Sequence, residues 1–256
     1  YWTPYRGNTV DIYDGTANWR RYSFNEISTA VPAGTGVRDV FLYATTGILA
    51  ITTVPWTNNS TRASSLAYQN GIRVLSGQTN RLYLGSYWAT SGSIPDTAST
   101  RVLSNYWNKV QRPLAANATC GSWVTSGSLT WRPWNMELNA KAQVVCGETD
   151  YVVDASVSLT GLAVQHQNAT FAAGIGTNVT SAVSGNELLF SYYAVPNSTT
   201  PGVAIARYTA APGIGLNDLN LLYQIATTTN INLQSAISTT GPGAVTANGM
   251  RGFIMG

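Results

Sequence analysis

A chain of 256 residues can bury a substantial core, either as one large β domain or as two smaller ones. Hydrophobic residues make up 44% of it, which excludes a disordered chain, yet only 10% are charged, against roughly a quarter in ordinary soluble domains. The formal charge of +3 is spread over single arginines, the pair Arg20–Arg21 and the two lysines Lys109 and Lys141, so the basic stripe of a nucleic-acid binder is missing.

Short β-type runs separated by Gly, Pro, Asn and Asp dominate the chain. Val37 to Ala44 (VRDVFLYA) and Ile48 to Val54 (ILAITTV) flank Thr45-Thr46-Gly47, which predicts a hairpin that Pro55 closes. Arg62 to Tyr68 is the first segment where a helical turn is expected. Asn70-Gly71 marks a turn, and Ile72 to Leu75 with Arg81 to Trp88 reads as a second hairpin. Asp96 to Val110 is ambiguous: Asp96 suits a helix cap, while Val102, Tyr106 and Trp107 favour an extended form, which is the expectation taken. Two short strands are expected around Ser126-Gly127, and another at Ala142 to Cys146. From Val153 to Ala163 apolar and polar residues alternate, as in a strand with one buried face. Further β runs are expected at Thr170–Ile175, Leu188–Val195, Val203–Tyr208, Leu221–Ala226 and Met250–Met255, and a loop at Thr239 to Asn248. No stretch approaches the ~20 apolar residues of a membrane span.

The pattern predicts an all-β fold. A smaller hairpin-rich domain over 1–115 precedes an antiparallel β-sandwich or jelly-roll-like domain over 116–256, the boundary falling near Pro113 to Ala118.

Catalytic signatures are absent: there is no G-x-S-x-G elbow, P-loop, C-x-x-C or H-E-x-x-H. His166 is the sole imidazole, and at the end of the alternating strand it reads as a polar strand-end residue rather than a base. Glycoside hydrolysis needs two convergent carboxylates. Asp150 and Asp154, with Glu148, are expected to share a strand face, and Asp11 with Asp14 and Asp39 with Glu26 are weaker pairs. Their ordinary reading is a solvated or subunit-facing edge. With two cysteines and one histidine no metal site is expected, and no cofactor. Cys120 and Cys146 could form a disulfide or remain two buried thiols. Asn-x-Ser/Thr triplets begin at Asn58, Asn59, Asn117, Asn168, Asn178 and Asn197, about as many as this composition gives by chance.

Trp and Tyr, 8 and 14 of them against 5 Phe, combine an apolar face with a polar handle, which suits wet interfaces and sugar stacking as well as cores. Core packing or subunit contact is the ordinary role. Trp88, Trp107, Tyr192 and Tyr193 are the candidate ligand platform.

Several segments, in order, resemble a domain common in tail and prophage structural proteins of tailed bacteriophages. They are Tyr5-Arg6-Gly7-Asn8, Asp39-Val40-Phe41-Leu42-Tyr43, Gly71-Ile72-Arg73-Val74, Arg81 to Gly85, Asn105 to Val110 and Ser128 to Arg132, a similarity running over residues 1 to 180. The resemblance implies a virion component on a fibre, spike or head fibre, often trimeric, and carries over no catalytic residue. The expected function is a non-enzymatic structural or adhesive protein of the virion surface that recognises the host. Alternatives are a polysaccharide-degrading or deacetylating spike and a free carbohydrate-binding module. Expected partners are its own copies in a homotrimer, other virion proteins and bacterial surface polysaccharide, with no nucleic acid and no membrane insertion. Edges covered by neighbouring copies fit the near absence of lysine gatekeepers.

Overall fold

The computed structural model describes the chain apart from residues 6, 118–122, 126–127, 135–139, 164–168, 185–186, 195–201, 226–230, 235–248 and 256. The described residues form β-strands joined by turns, without an α-helix, in several mainly antiparallel sheets. The fold is all-β and sandwich-like, as the short turn-bounded runs predict.

Strands β1 (Thr9–Tyr13) and β2 (Trp19–Ser23) make a separate hairpin. A six-stranded sheet follows, from β3 (Gly36–Thr45), β4 (Ile48–Pro55), β5 (Leu66–Gln69), β6 (Ile72–Leu75), β7 (Gln78–Ala89) and β9 (Leu103–Asn105). Its order is β4-β3-β7-β6-β5, with β9 also on β7. Two turns fix the register. Thr46 and Gly47 have φ of 49° and 84°, and Asn70 and Gly71 have 51° and 84°. Two consecutive left-handed residues make the hairpin turn whose twist matches that of its strands.

The segment Arg62 to Tyr68 is not a helical turn. Leu66–Gln69 pairs with β6 across Asn70-Gly71 instead, and Leu66 packs against Phe41, Leu75 and Tyr83. That ladder and contact lie beyond the reach of local propensity. In the ambiguous region β8 (Thr100–Arg101) and β9 are extended, whereas Tyr106 to Lys109 is irregular. Asp96 caps no helix. Its carboxylate accepts the Val102 N–H at 3.0 Å and ion pairs from Arg101 and Arg112.

The larger sheet comprises β8 with β10 (Gln111–Asn117), β11 (Trp123–Thr125), β12 (Ser128–Pro133), β13 (Lys141–Cys146), β14 (Val153–Ala163), β15 (Ala169–Thr177), β16 (Glu187–Ala194), β17 (Gly202–Ala210), β18 (Gly215–Ile225), β19 (Ile231–Gln234) and β20 (Gly249–Met255). Its main path is β10-β20-β14-β17-β16-β15-β18-β13-β8. β16 pairs with β17 through Glu187 to Phe190 and with β15 through Ser191 to Ala194, so the path crosses there from one layer to the other. Inward residues of both layers share one core: Val153, Ala155, Val157 and Leu159 of β14 with Leu219, Leu221, Tyr223 and Ile225 of β18. On β14 the alternate residues Asp154, Ser156 and Ser158 stay outside the core, as the alternation predicts. The change of sheet falls between β9 and β10, while β8 reaches across to pair in parallel with β13. The expected loop at Thr239 to Asn248 lies outside the described residues.

Sheet edges are managed unequally. β10 carries Pro113, which has no N–H to offer a neighbour. The Ala115 N–H is taken by Ala98 O and the Pro113 carbonyl by Arg101 Nε. β4 has β3 on one side and, among the described residues, no strand on the other. Its sequence ILAITTVP holds no charge.

The two sheets are joined by one buried charge cluster. Arg62 donates through Nε to Asp39 Oδ2 at 2.8 Å, and through Nη2 to the Tyr83 hydroxyl at 3.3 Å and to the Gly147 carbonyl just past β13. Asp39, only 2% exposed, also accepts from Ser86 Oγ at 2.6 Å. The Arg62 guanidinium lies 4.6 Å from the Trp56 ring centroid. Burial works against its charge, but the Asp39 hydrogen bond and carboxylate outweigh that and raise its pKa further. Gly147 is required here because a Cβ would press on the hydroxyls of Tyr83, Ser104 and Ser86. The same 56–62 segment reaches β18, where Leu216 N–H donates to Asn59 O at 2.8 Å. Removing one partner strands a buried charge. Arg62→Ala is therefore expected to cost about 3–5 kcal/mol in urea unfolding, and a loss below about 1 kcal/mol would refute the anchoring role.

Candidate ligand-binding site

Past β9 the chain turns on Asn105, whose Oδ1 accepts the N–H groups of Trp107 and Asn108 at 2.9 and 3.0 Å. Such a side-chain-closed turn is a common use of Asn. It projects Trp107, 49% exposed, and holds it rigidly: the indole Nε1–H donates to Tyr83 O at 2.8 Å, and the ring meets Tyr106 edge-on at 5.3 Å. Trp107 and Lys109 thus form a ridge with a concavity on each side.

One concavity, about 1280 Å³, lies under the N-terminal segment Tyr1 to Tyr5 and reaches Asp11, Trp19 and Phe24. Trp2 is stacked on Phe24 at 4.0 Å and exchanges backbone hydrogen bonds with Ile27, which fixes that segment.

The other, about 660 Å³, is smaller and more polar, lined by Tyr68, Arg73, Tyr106, Trp107, Lys109, Glu148, Thr149 and Asp150. Arg73 comes from β6 and Tyr68 from β5. Glu148 and Asp150 come from the turn directly after Gly147, so the Arg62 cluster places them. Arg73 pairs with Glu148 at 2.8 Å and lies 4.0 Å from the Tyr68 ring centroid. Lys109 pairs with Asp150 at 2.5 Å and stands 5.5 and 4.9 Å from the Tyr106 and Tyr151 rings. Tyr151 is buried, donates to Asn105 O at 2.9 Å, and has its hydroxyl pKa pushed up to about 12 by burial. Among the described residues, nothing hydrogen-bonds Glu148 Oε1 or Arg73 Nε, and both atoms are shielded from solvent. No group of three or more His, Cys, Asp or Glu among the described residues could hold a metal ion.

Of the four aromatic residues picked from sequence, Trp107 lines both concavities. Trp88 is half-buried on β7 opposite Val37 and lines neither. Tyr192 and Tyr193 are consecutive on β16, and their side chains lie outside the described residues. Glu148, Asp150 and Asp154 do not share a strand face. The strand begins only at Val153, so Glu148 and Asp150 occupy a turn facing Arg73 and Lys109, while Asp154 on β14 binds Arg207 at 2.7 Å. Asp39 and Glu26 do not meet either, since Asp39 is held by Arg62 and Glu26 accepts from Thr3 Oγ1. Asp11 pairs with Arg21 and Asp14 with Arg20. His166 and Cys120 lie outside the described residues. Cys146 is a free, buried thiol. Sequence reasoning missed Tyr68, which faces Arg73 across the β5–β6 hairpin, and Arg73, whose ion-pair partner Glu148 is remote in the chain. Lys109, one of only two lysines, was the visible signal.

No family model matches the chain, and no curated protein matches it. A solved structure of infectious bursal disease virus, Gx strain, aligns over 97% of this chain and 72% of that chain, at 10% identity and a TM-score of 0.22. That score is too low to define a shared fold, so the geometry alone informs the site.

Burial pushes the Cys146 thiol up to about 12, so little reactive thiolate forms near neutral pH. Iodoacetamide at pH 8 is expected to label Cys146 only after denaturation, as read by peptide mass spectrometry; full labelling of the native protein would contradict its burial.

Three carboxylates are held below their ordinary value of 3.8. Asp14 is lowered by the backbone N–H groups of Thr16 and Asn18 and the Thr16 hydroxyl, Asp11 by Arg21, and Asp154 by Arg207. A carboxylate with a depressed folded value contributes stability above its unfolded value and loses it as pH falls through the folded one. The melting temperature should therefore hold steady from pH 7 to about 5 and fall below about pH 4. A rise in melting temperature over that acid range would contradict these pairings.

Proposed function

We propose that the chain is a non-enzymatic, adhesive component of a bacteriophage virion surface that recognises a host polysaccharide through the Trp107 ridge. The carrying observation is the pinned, half-exposed indole beside a polar concavity in which Tyr68, 61% exposed, supplies a second ring. A ring held in place loses little freedom when a sugar stacks on it, and hydrogen-bonding groups beside it set orientation. The sequence resemblance to phage structural proteins supports a virion setting. The uncharged edge of β4 supports self-association, because an edge without blunting residues calls for cover and a closed oligomer supplies it. A homotrimer is the assembly the resemblance implies.

A polysaccharide-degrading spike is the alternative, favoured by Glu148 and Asp150 lining the same concavity. Against it, Glu148 is engaged by Arg73 and Asp150 by Lys109, so neither stands apart as the acid that glycoside cleavage uses.

The purified chain is expected to be retained on capsule or lipopolysaccharide of a susceptible bacterium without producing reducing ends or acetate. New reducing ends would establish the spike, and no retention on any such polymer would refute adhesion. The chain should also be found by mass spectrometry in purified particles and sediment as a trimer at micromolar concentration at both low and high salt. Absence from particles would refute the virion setting, and a stable monomer would refute the assembly.

A further inference from the structure

We infer that the concavity between Tyr68 and Trp107 selects neutral sugar units, bound by stacking and hydroxyl hydrogen bonds, over uronates and other anionic sugars. The inference rests on the proposed role of this site in glycan recognition.

The wall charges cancel. Arg73 faces Glu148 and Lys109 faces Asp150, so two cations and two anions line the concavity in two closed pairs. The cations are further occupied by rings: Tyr68 by Arg73, and Tyr106 and Tyr151 by Lys109. An anionic sugar meets a carboxylate beside each cation and gains a full ion pair only by opening one of these pairs. In the Arg73–Glu148 pair that strands a carboxylate on a residue only 9% exposed, which is a heavy cost.

A neutral sugar needs no such rearrangement of charge. Its hydroxyls both donate and accept, and the reachable polar group is Asp150, 65% exposed, whose carboxylate can accept from a sugar hydroxyl while its pair with Lys109 stays closed. Trp107, its indole N–H held by Tyr83 O, serves as the fixed stacking surface.

The test is titration calorimetry of the full chain with neutral gluco-, galacto- and manno-oligosaccharides and with oligogalacturonate of equal length, at low and high salt. At least one neutral oligosaccharide should bind, with an affinity changing less than about twofold with salt, because the ligand carries no charge to screen. Trp107→Ala and Tyr68→Ala should each weaken that binding by about tenfold or more. Tyr68 is exposed, so its variant keeps the test valid if removing Trp107 unfolds the turn. Binding of oligogalacturonate in preference to every neutral oligosaccharide, or affinity falling steeply with salt, would overturn the inference while leaving the site as a glycan site. No binding by either class, or binding indifferent to both substitutions, would overturn the inference and the proposed site together.

Discussion

Arg62 is the contact on which the rest of the arrangement depends. Its guanidinium satisfies Asp39 from β3, the Tyr83 hydroxyl from β7 and the Gly147 carbonyl after β13, in a space almost closed to solvent. A planar fork of donors suits three acceptors in different directions, which a lysine could not serve with the same geometry. Replacing such a buried pair by packed apolar residues is often neutral for stability. What the polar cluster adds is position. It sets where Gly147 sits, and Glu148 and Asp150 follow Gly147 directly. Tyr83 takes part twice, through its hydroxyl in the cluster and through its carbonyl on the Trp107 indole. The same few residues therefore hold both walls of the smaller concavity.

The scarcity of charge has a structural counterpart. All seven aspartates are paired with an arginine or lysine of this chain. Some of these pairs are buried fasteners, as at Asp39, and others lie at the surface, as at Asp11 with Arg21. A carboxylate that keeps its cation can meet a copy of the chain or a glycan without being left as an unpaired charge. Edges follow the same logic. β10 is closed by a proline and by arginine contacts from the segment before it, whereas the uncharged β4 is left open, where a lysine would ordinarily stand guard.

Local features were legible in the sequence. Thr46-Gly47 announces its hairpin and Asn70-Gly71 its turn, because two left-handed residues in succession are a property of the turn itself, whereas the strand Leu66–Gln69 leading into Asn70-Gly71 was not legible. β14 announces its buried face through strict alternation. The site was only partly legible. Trp107 could be picked for its chemistry, and Glu148 and Asp150 as carboxylates, but their setting could not. Arg73 meets Glu148 across 75 residues and Lys109 meets Asp150 across 41, and no periodicity encodes such pairs. Arg62 looked like the start of a helical turn, since nothing around it announces a buried carboxylate at Asp39. Nothing in the sequence marks Gly147, because its reason lies in three hydroxyls from other strands.

The central claim is that the Arg62 cluster positions the ligand-facing turn and the Trp107 ridge as one unit. Hydrogen exchange, read segment by segment on the native chain and on Arg62→Leu, tests it most directly. Exchange should quicken together at residues 104–109 and 147–151, while the core strands β14 and β18 keep their protection. Unchanged protection in those two segments, or a uniform loss across the whole chain, would contradict it.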